Sequence, residues 1–307
     1  MKKNILNLSK TLSSKFMNNF GGDWTESKIE ILVEYAKAYL TIMNIYAHRY
    51  DWKLLYFDGF AGSGSIKKGN EQDEKIIIGA AARILEIDDP RSFDMYYFVE
   101  KEPNAKRLLE TSTKLKFPQK NVYIANEDCN DKIHAMKDFL ISKNGRKYKA
   151  LAYIDPCGMQ LNWSTLVALQ KLSVDAWILV PTGMGVNRLL KSDGRISDAW
   201  LQKLENFLGM EKRDILSQFY VEKEVYTLFG TETVTTKKES AIEQSANLYM
   251  QRLGEIFKYV SKPYVLRNRM NSTMFHFFMV SNNREAVKIA NEIVAKYNNR
   301  TNGTVKY

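Results

Sequence analysis

Three short segments carry the residue types from which a binding or catalytic site can be assembled. The first is Asp58-Gly59-Phe60-Ala61-Gly62-Ser63-Gly64, which closes an apolar run. Glycines after a first strand let the backbone turn tightly and approach a ligand, as in nucleotide-binding α/β folds. The segment holds G-x-G, but position 67 is Lys, so the third glycine of the G-x-G-x-x-G fingerprint is missing. An acid follows each of the next two apolar runs: Glu100 after Phe98-Val99, and Asp128 after Val122–Ala125. A carboxylate at the first position can accept two hydrogen bonds from a ribose diol, and one at the second can reach an adenine amino group. Each acid can instead cap the next helix. That option suits Asp128 better than Glu100, because Pro103 already starts the helix after Glu100.

The third segment is Tyr153-Ile154-Asp155-Pro156-Cys157-Gly158, followed by Trp163. An acid before Pro at a strand end can accept a hydrogen bond from a substrate amino group. The Pro fixes the turn so that backbone carbonyls point inward. The alternative is an ordinary turn with Asp155 as a helix cap. Cys157 invites a nucleophile reading, yet nothing in the sequence suggests how its thiol would be activated. His276 sits inside the apolar run Phe275–Phe278 and reads as a core residue; His48 and His134 have no Cys or His at metal-ligand spacing. Cys129 and Cys157 are the two cysteines, too few for a disulfide framework or a structural zinc site, so no metal is expected. The chain has no G-x-x-x-x-G-K-[ST] loop and no G-x-S-x-G elbow, which argues against ATPase and hydrolase chemistry.

Such residues need a scaffold that brings strand ends together. Apolar runs at Leu54–Phe57, Met95–Val99, Val122–Ala125, Leu151–Ile154 and Ala176–Val180 alternate with helical stretches at Ile76–Ile87, Asn104–Leu115, Lys132–Ile141 and Ser164–Lys171. Near-continuous apolar strands separated by helices predict an α/β fold, with a parallel sheet covered on both faces. A helix opens at Trp24, with Ile29, Leu32, Val33, Ala36, Leu40 and Met43 on one stripe. Two late strands, near Pro263–Arg267 and Met274–Val280, have a short connection and so predict an antiparallel pair. The expected organisation is a basic polar arm over residues 1–23, then one domain over 24–307 with a helical insertion at about 183–236.

The 307 residues are 45% hydrophobic and 26% charged, which excludes a wholly disordered chain. No run approaches 18 apolar residues, so no membrane helix is expected, and the arm lacks the apolar stretch of a secretory signal. These features suggest the cytoplasm. Lys and Arg number 45 against 35 Asp and Glu, a formal charge of +10, which points to a polyanionic partner by counterion release, or else to solubility alone. The cations cluster at Lys143, Arg146, Lys147 and Lys149, and again at Lys262, Arg267 and Arg269, with Tyr259 and Tyr264 nearby.

Taken together, Trp24-Thr25-x-x-Lys28, the Asp58–Gly64 loop, Phe98-Val99-Glu100-Lys101, Ile154-Asp155-Pro156-x-Gly158 with Trp163, and Met279-Val280-Ser281-Asn282 resemble the three-Cys-motif partner (TcmP) proteins. That family is similar to class I S-adenosylmethionine (SAM)-dependent methyltransferases, and the resemblance spans roughly residues 24–295. It implies a Rossmann-like sheet of seven strands, mostly parallel with one antiparallel late strand and helices on both faces. It places SAM against Asp58, Phe60 and Gly62–Gly64, with Glu100 on the ribose and Asp128 near the adenine. Asp155-Pro156 then corresponds to the turn that amino-methyltransferases use at an acceptor nitrogen. The implied activity is methyl transfer to an exocyclic amine of nucleic acid, DNA or RNA, with Trp163, Lys262, Arg267 and Arg269 as substrate contacts. A partner protein carrying the three cysteines is also implied. Here the turn reads Asp155-Pro156-Cys157-Gly158, without the aromatic fourth residue that stacks on a flipped base in N6-adenine and N4-cytosine enzymes. Trp163 is expected to substitute. Two other readings stand beside this one: a non-catalytic binding module on the same fold, and cytosine-C5 chemistry through Cys157. The second lacks a further cysteine after the fifth strand, where Pro181-Thr182-Gly183 stands. The long stretch from Gly64 to Glu100 exceeds the ~20 residues usual between glycine loop and acid in NAD enzymes.

Overall fold

The computed structural model describes residues 23–68, 75–192, 194–228 and 230–303; residues 1–22 of the basic arm lie outside the described residues. Helix α1 (Asp23–Tyr50) leads into the central strand β1 (Lys53–Asp58). The chain then makes a small hairpin, β2 (Ser65–Lys68) and β3 (Lys75–Ile78), before α2 (Ala80–Leu85). Next come β4 (Met95–Val99), α3 (Pro103–Lys116), β5 (Val122–Ala125), α4 (Cys129–Ile141), β6 (Tyr148–Ile154), α5 (Trp163–Val167) and β7 (Val174–Val180). The helix expected over 76–87 is therefore shorter. Ile76-Ile77-Ile78 pairs as a strand with Ser65–Lys67, since three consecutive β-branched residues favour extended backbone, and the helix begins only after Gly79.

In the main sheet β5, β4, β1, β6 and β7 lie side by side in that order, all parallel. β12 (Thr273–Ser281) runs antiparallel beside β7, with His276 opposite Val180. The far edge of β12 pairs with both β10 (Tyr259–Val260) and β11 (Tyr264–Arg267). Since β7 occupies one edge of β12, β10 and β11 are two parts of a single seventh strand position. A register shift of one residue separates them: Val260 faces Val280, whereas Tyr264 faces Phe277. This strand order, with its one antiparallel strand, is the class I methyltransferase sheet, an α/β Rossmann-like fold.

Alternate residues of each strand serve opposite faces. Tyr56, Tyr96, Phe98, Tyr153, Trp177 and Phe277 form an aromatic layer under α1, α2 and α10 (Arg284–Gly303). The other face presents Ala150, Ala152, Ala176 and Ile178 to α4, α5 and α9 (Ala241–Ile256), where small residues admit close helix packing.

The 183–236 segment is only partly helical. A single π-helical turn (Thr182–Val186) leads to α6 (Asn187–Leu189), α7 (Asp198–Leu208) and α8 (Lys212–Phe219). Leu204, Phe207, Ile215 and Phe219 of α7 and α8 are fully buried in the core on the α9 side. The Thr-rich stretch is a strand: β9 (Gly230–Lys237) pairs antiparallel with β8 (Tyr220–Thr227). Almost every residue of this ribbon is exposed, so no alternation of apolar residues announced it.

Candidate functional site

Register alone gathers the strand-end acids. Asp58 at the end of β1 lies opposite Phe98 of β4 and Tyr153 of β6, so Glu100 and Asp155 each stand two residues past their aligned partners. The glycine loop is fastened to both neighbouring strands, with Gly59 N–H donating to the Tyr153 carbonyl (2.9 Å) and Ala61 N–H to the Val99 carbonyl (3.0 Å). Gly62 and Gly64 have φ of +62° and +81°, where residues with a Cβ are strained, and a Cβ built on Gly62 meets nothing within 4 Å. Gly79 closes the loop from behind: its N–H donates to the Gly64 carbonyl (3.0 Å), and a Cβ there would fall 2.9 Å from Gly64 backbone. Gly79 carried no recognisable signal in the sequence, because its partner is fifteen positions away across a hairpin.

The open space in front of this loop is a cleft of about 950 Å³, its mouth included. Asp58, Phe60, Gly62, Gly64, Asp155, Pro156 and Cys157 line it. Tyr153 and the apolar side chains Ile29, Leu179, Met184 and Phe275 complete the wall, and Thr25 and Lys28 reach in from α1. Thr25 is 1% exposed, and its Oγ1 has no hydrogen-bond partner among the described residues.

Lys28 is the residue whose role the sequence did not disclose. It is 6% exposed and forms an ion pair with Asp155 Oδ2, which also accepts a hydrogen bond from Tyr153 Oη (2.8 Å). Two donors on one oxygen fix the carboxylate plane and turn the other oxygen toward remaining partners. Burial, with the Asp155 and Asp58 charges, pushes the Tyr153 phenol well up. Asp58 is 1% exposed, and burial, together with the nearby Asp155 and Glu100 charges, pushes its carboxyl up to about 8 against the pull of the Phe60 N–H. The thiol of Cys157 is also pushed up, by loss of solvent and by the Asp155 charge, so it is a poor thiolate source.

Other expected residues lie elsewhere. Glu100 sits half-buried outside the cleft lining, where Oε1 accepts the Glu102 N–H at 2.7 Å; Glu102 is the cap of α3. Asp128 caps α4, one of the two readings open from the sequence. Its oxygens take the Asn130 N–H (2.9 Å) and the Lys101 ammonium (3.0 Å), which hold its carboxyl below the usual range against the opposing effect of burial. Trp163 is not available for stacking. Its indole is 7% exposed, with the Arg252 guanidinium carbon 4.5 Å from its ring centroid, Tyr249 edge-on at 5.5 Å and Gly209 against its side. Trp163 opens α5, the first helix after the turn, and packs into the core there. Arg267 ends β11, Lys262 lies in the link between β10 and β11, and Arg269 in the turn after β11, all exposed. Arg267 and Arg269 fall at the cleft end of β11, since Arg267 faces Thr273 and His276 faces Val180 at the end of β7. His276 is buried with its Nδ1 2.8 Å from Thr182 Oγ1, and burial lowers it to about 4, as a core histidine requires. Among the described residues no cluster of His, Cys, Asp and Glu could hold a metal, and no helix is long and apolar enough to cross a membrane.

The sheet order and the acid-rimmed glycine cleft define a class: a methyltransferase-fold protein. No family model and no curated protein matches the sequence. Among solved structures, the chain is similar to a Legionella pneumophila protein of the DUF519 family (14% identity, 86% of this chain and 91% of that one, TM-score 0.46). It is also similar to Trm1 from Pyrococcus horikoshii in complex with SAM (11% identity, 89% and 72%, TM-score 0.37). A third is the N-terminal domain of EvdMO1 with bound SAH (11% identity, 92% and 98%, TM-score 0.37). The fold assignment rests on this chain's own strand order and register.

Proposed function

We propose that the protein is a SAM-dependent methyltransferase acting on an exocyclic amine of nucleic acid, on a fold like that of the three-Cys-motif partner proteins. The observation that carries the cofactor reading is the charge of the cleft. On a chain of net charge +10, this cavity pairs its lining ammonium, Lys28, with Asp155, holds Asp58 protonated at pH 7 but able to ionise beside a cation, and has the Glu100 carboxylate close by. Such a site repels the phosphates of dinucleotides and favours a cationic ligand. The open face of Gly62 and the unpartnered Thr25 hydroxyl fit a compact polar group beside it. When bound, SAM supplies an electrophilic methyl group. Gly62, Gly64 and Phe60 would cradle its methionyl part, with Asp58 beside the cationic groups and Glu100 at the ribose. Asp155, held by Lys28 and Tyr153, would orient the acceptor amine and accept its hydrogen bond. Pro156 holds the turn, while Met184 and Phe275 give a planar acceptor an apolar wall. With Trp163 buried, no aromatic residue of the turn itself supplies a stacking face.

Calorimetry with SAM and with S-adenosylhomocysteine tests the reading, and absence of SAM binding to the folded protein would overturn it. Glu100→Ala is expected to weaken SAM binding roughly 10- to 150-fold, the loss of a charged hydrogen bond worth about 1.5–3 kcal/mol. A further expectation concerns protons. Asp58, at about 8, keeps its proton at pH 7 in the folded protein, whereas an unfolded Asp releases it near ~3.9. Between those values the folded state binds the extra proton, so Asp58 costs stability progressively as pH rises through that window. A cation placed beside it reverses the preference. Titration with SAM at pH 7, in buffers of different ionisation enthalpy, should therefore show release of close to one proton. The release should vanish above about pH 9 and in Asp58→Asn.

A non-catalytic module would share the fold and could share the cofactor; the positioned Lys28–Asp155–Tyr153 group favours the enzyme, since a binding module has no need of it.

A further inference from the structure

The end of the sheet remote from the cleft carries a feature that methyl transfer does not use. Tyr46 and Tyr50 stand one turn apart at the end of α1, and Trp52 follows in the turn into β1. The Tyr46 and Tyr50 rings lie 6.3 Å apart with planes within 11°, and the Tyr50 and Trp52 rings 5.0 Å apart within 27°. Tyr46 and Tyr50 are 42% and 49% exposed, so an aromatic stack stands in solvent at a helix end. Cations surround it. The Arg49 guanidinium carbon is 5.3 Å from the Tyr50 centroid, and Lys149 Nζ is 4.4 Å from that of Trp52. Lys53 opens β1, and Lys143, Arg146 and Lys147 are exposed in the segment that leads into β6. Asp51, the acid among them, is tied to Lys147. Trp52 and Lys149 also wall an open groove lined further along by Lys171 and Lys258, and by exposed Glu255 and half-buried Asp175.

We infer that this end of the molecule is a platform for single-stranded nucleic acid. Bases stack on Tyr46 and Tyr50, while phosphates meet Arg49, Lys53, Lys147 and Lys149. The inference rests on the reading of nucleic acid as partner, and goes beyond it in placing a contact away from the cleft. Exposed rings set among cations match a strand whose π-faces are free and whose backbone is anionic; a duplex hides those faces inside its own stack. An apolar protein surface laid here would bury the same cations without counter-charges. Eight residues separate Lys147 from Asp155 along β6, about 25 Å at roughly 3.3 Å per residue. At ~3.4 Å per stacked nucleotide, a strand engaging both ends must therefore exceed about seven nucleotides.

The test is fluorescence anisotropy with labelled, non-self-pairing 20-nucleotide single strands, one DNA and one RNA, and the matching duplex, at 50 mM salt. The variants are Tyr46→Ala/Tyr50→Ala and Tyr46→Phe/Tyr50→Phe, at exposed positions, with circular dichroism to check the fold. The alanine pair should weaken binding of the better single strand by about 30-fold or more, the phenylalanine pair should bind like the wild type, and duplex affinity should not change. Single-strand affinity unchanged in the alanine pair, or no binding of either strand by the wild type, overturns the platform. SAM calorimetry on the same proteins separates the two readings. A wild type that ignores SAM but binds single strands through Tyr46 and Tyr50 would sink the methyltransferase reading and leave the platform standing.

Discussion

Asp155→Ala is expected to lose ~10²–10⁴-fold in turnover on its amine acceptor while still binding SAM, the range typical of a positioned proton-handling group. On the proposed mechanism the loss falls on rate, because the carboxylate would aim the acceptor nitrogen rather than hold the cofactor. A second effect comes from Lys28, whose side chain is 7% exposed against 19% for Asp155. Removing the acid takes the carboxylate counter-charge from a buried ammonium, a change that costs up to about 3–5 kcal/mol. The single variant should therefore also melt earlier. Lys28→Met/Asp155→Ala should recover most of the melting temperature and none of the turnover, which separates the chemical role of the acid from its structural one. Cys157→Ser should remain active, since the raised thiol is a poor nucleophile. A dead Cys157→Ser beside a working Asp155→Ala would replace amine chemistry with the C5 mechanism.

Gly62→Val should lower SAM affinity by about 100-fold or more. The position has φ of +62°, strained by ~1–3 kcal/mol for a residue with a Cβ, and worst for a β-branched one. Its side chain would also project into open space, with nothing within 4 Å, where the proposed cofactor would lie. Gly62→Ala should fall between the two. Calorimetry with SAM, alongside a melting curve, checks both; a folded Gly62→Val protein with wild-type affinity would remove the loop from the site.

The parts of this architecture that sequence reveals are those governed by local rules. Runs of four to seven residues located every strand of the main sheet except the two-residue β10, and the glycine loop with its flanking acids marked the cleft end of three of them. The ion pair of Lys28 with Asp155 spans 127 positions, and no spacing rule reaches that far. Trp163 misled because an aromatic residue seven positions after an acid-Pro turn is compatible with a wall of the cleft and with the core alike. Only the approach of Gly209, Tyr249 and Arg252 decides for the core. The β8–β9 ribbon escaped notice for the opposite reason: with both faces in solvent, its sequence has no apolar alternation to read.

The bond between Gly79 and Gly64 has an evolutionary consequence. Because the two residues touch, the paired strands β2 and β3 start and end at the same point. Residues 65–78 can then change in length without moving either the glycine loop or α2. Closing a longer excursion costs only about 0.6 kcal/mol per doubling, so this is a port at which segments can be gained, lost or exchanged. Relatives of this chain should differ most in length here, at the lip of the cleft, while Gly64 and Gly79 stay fixed as its hinge pins.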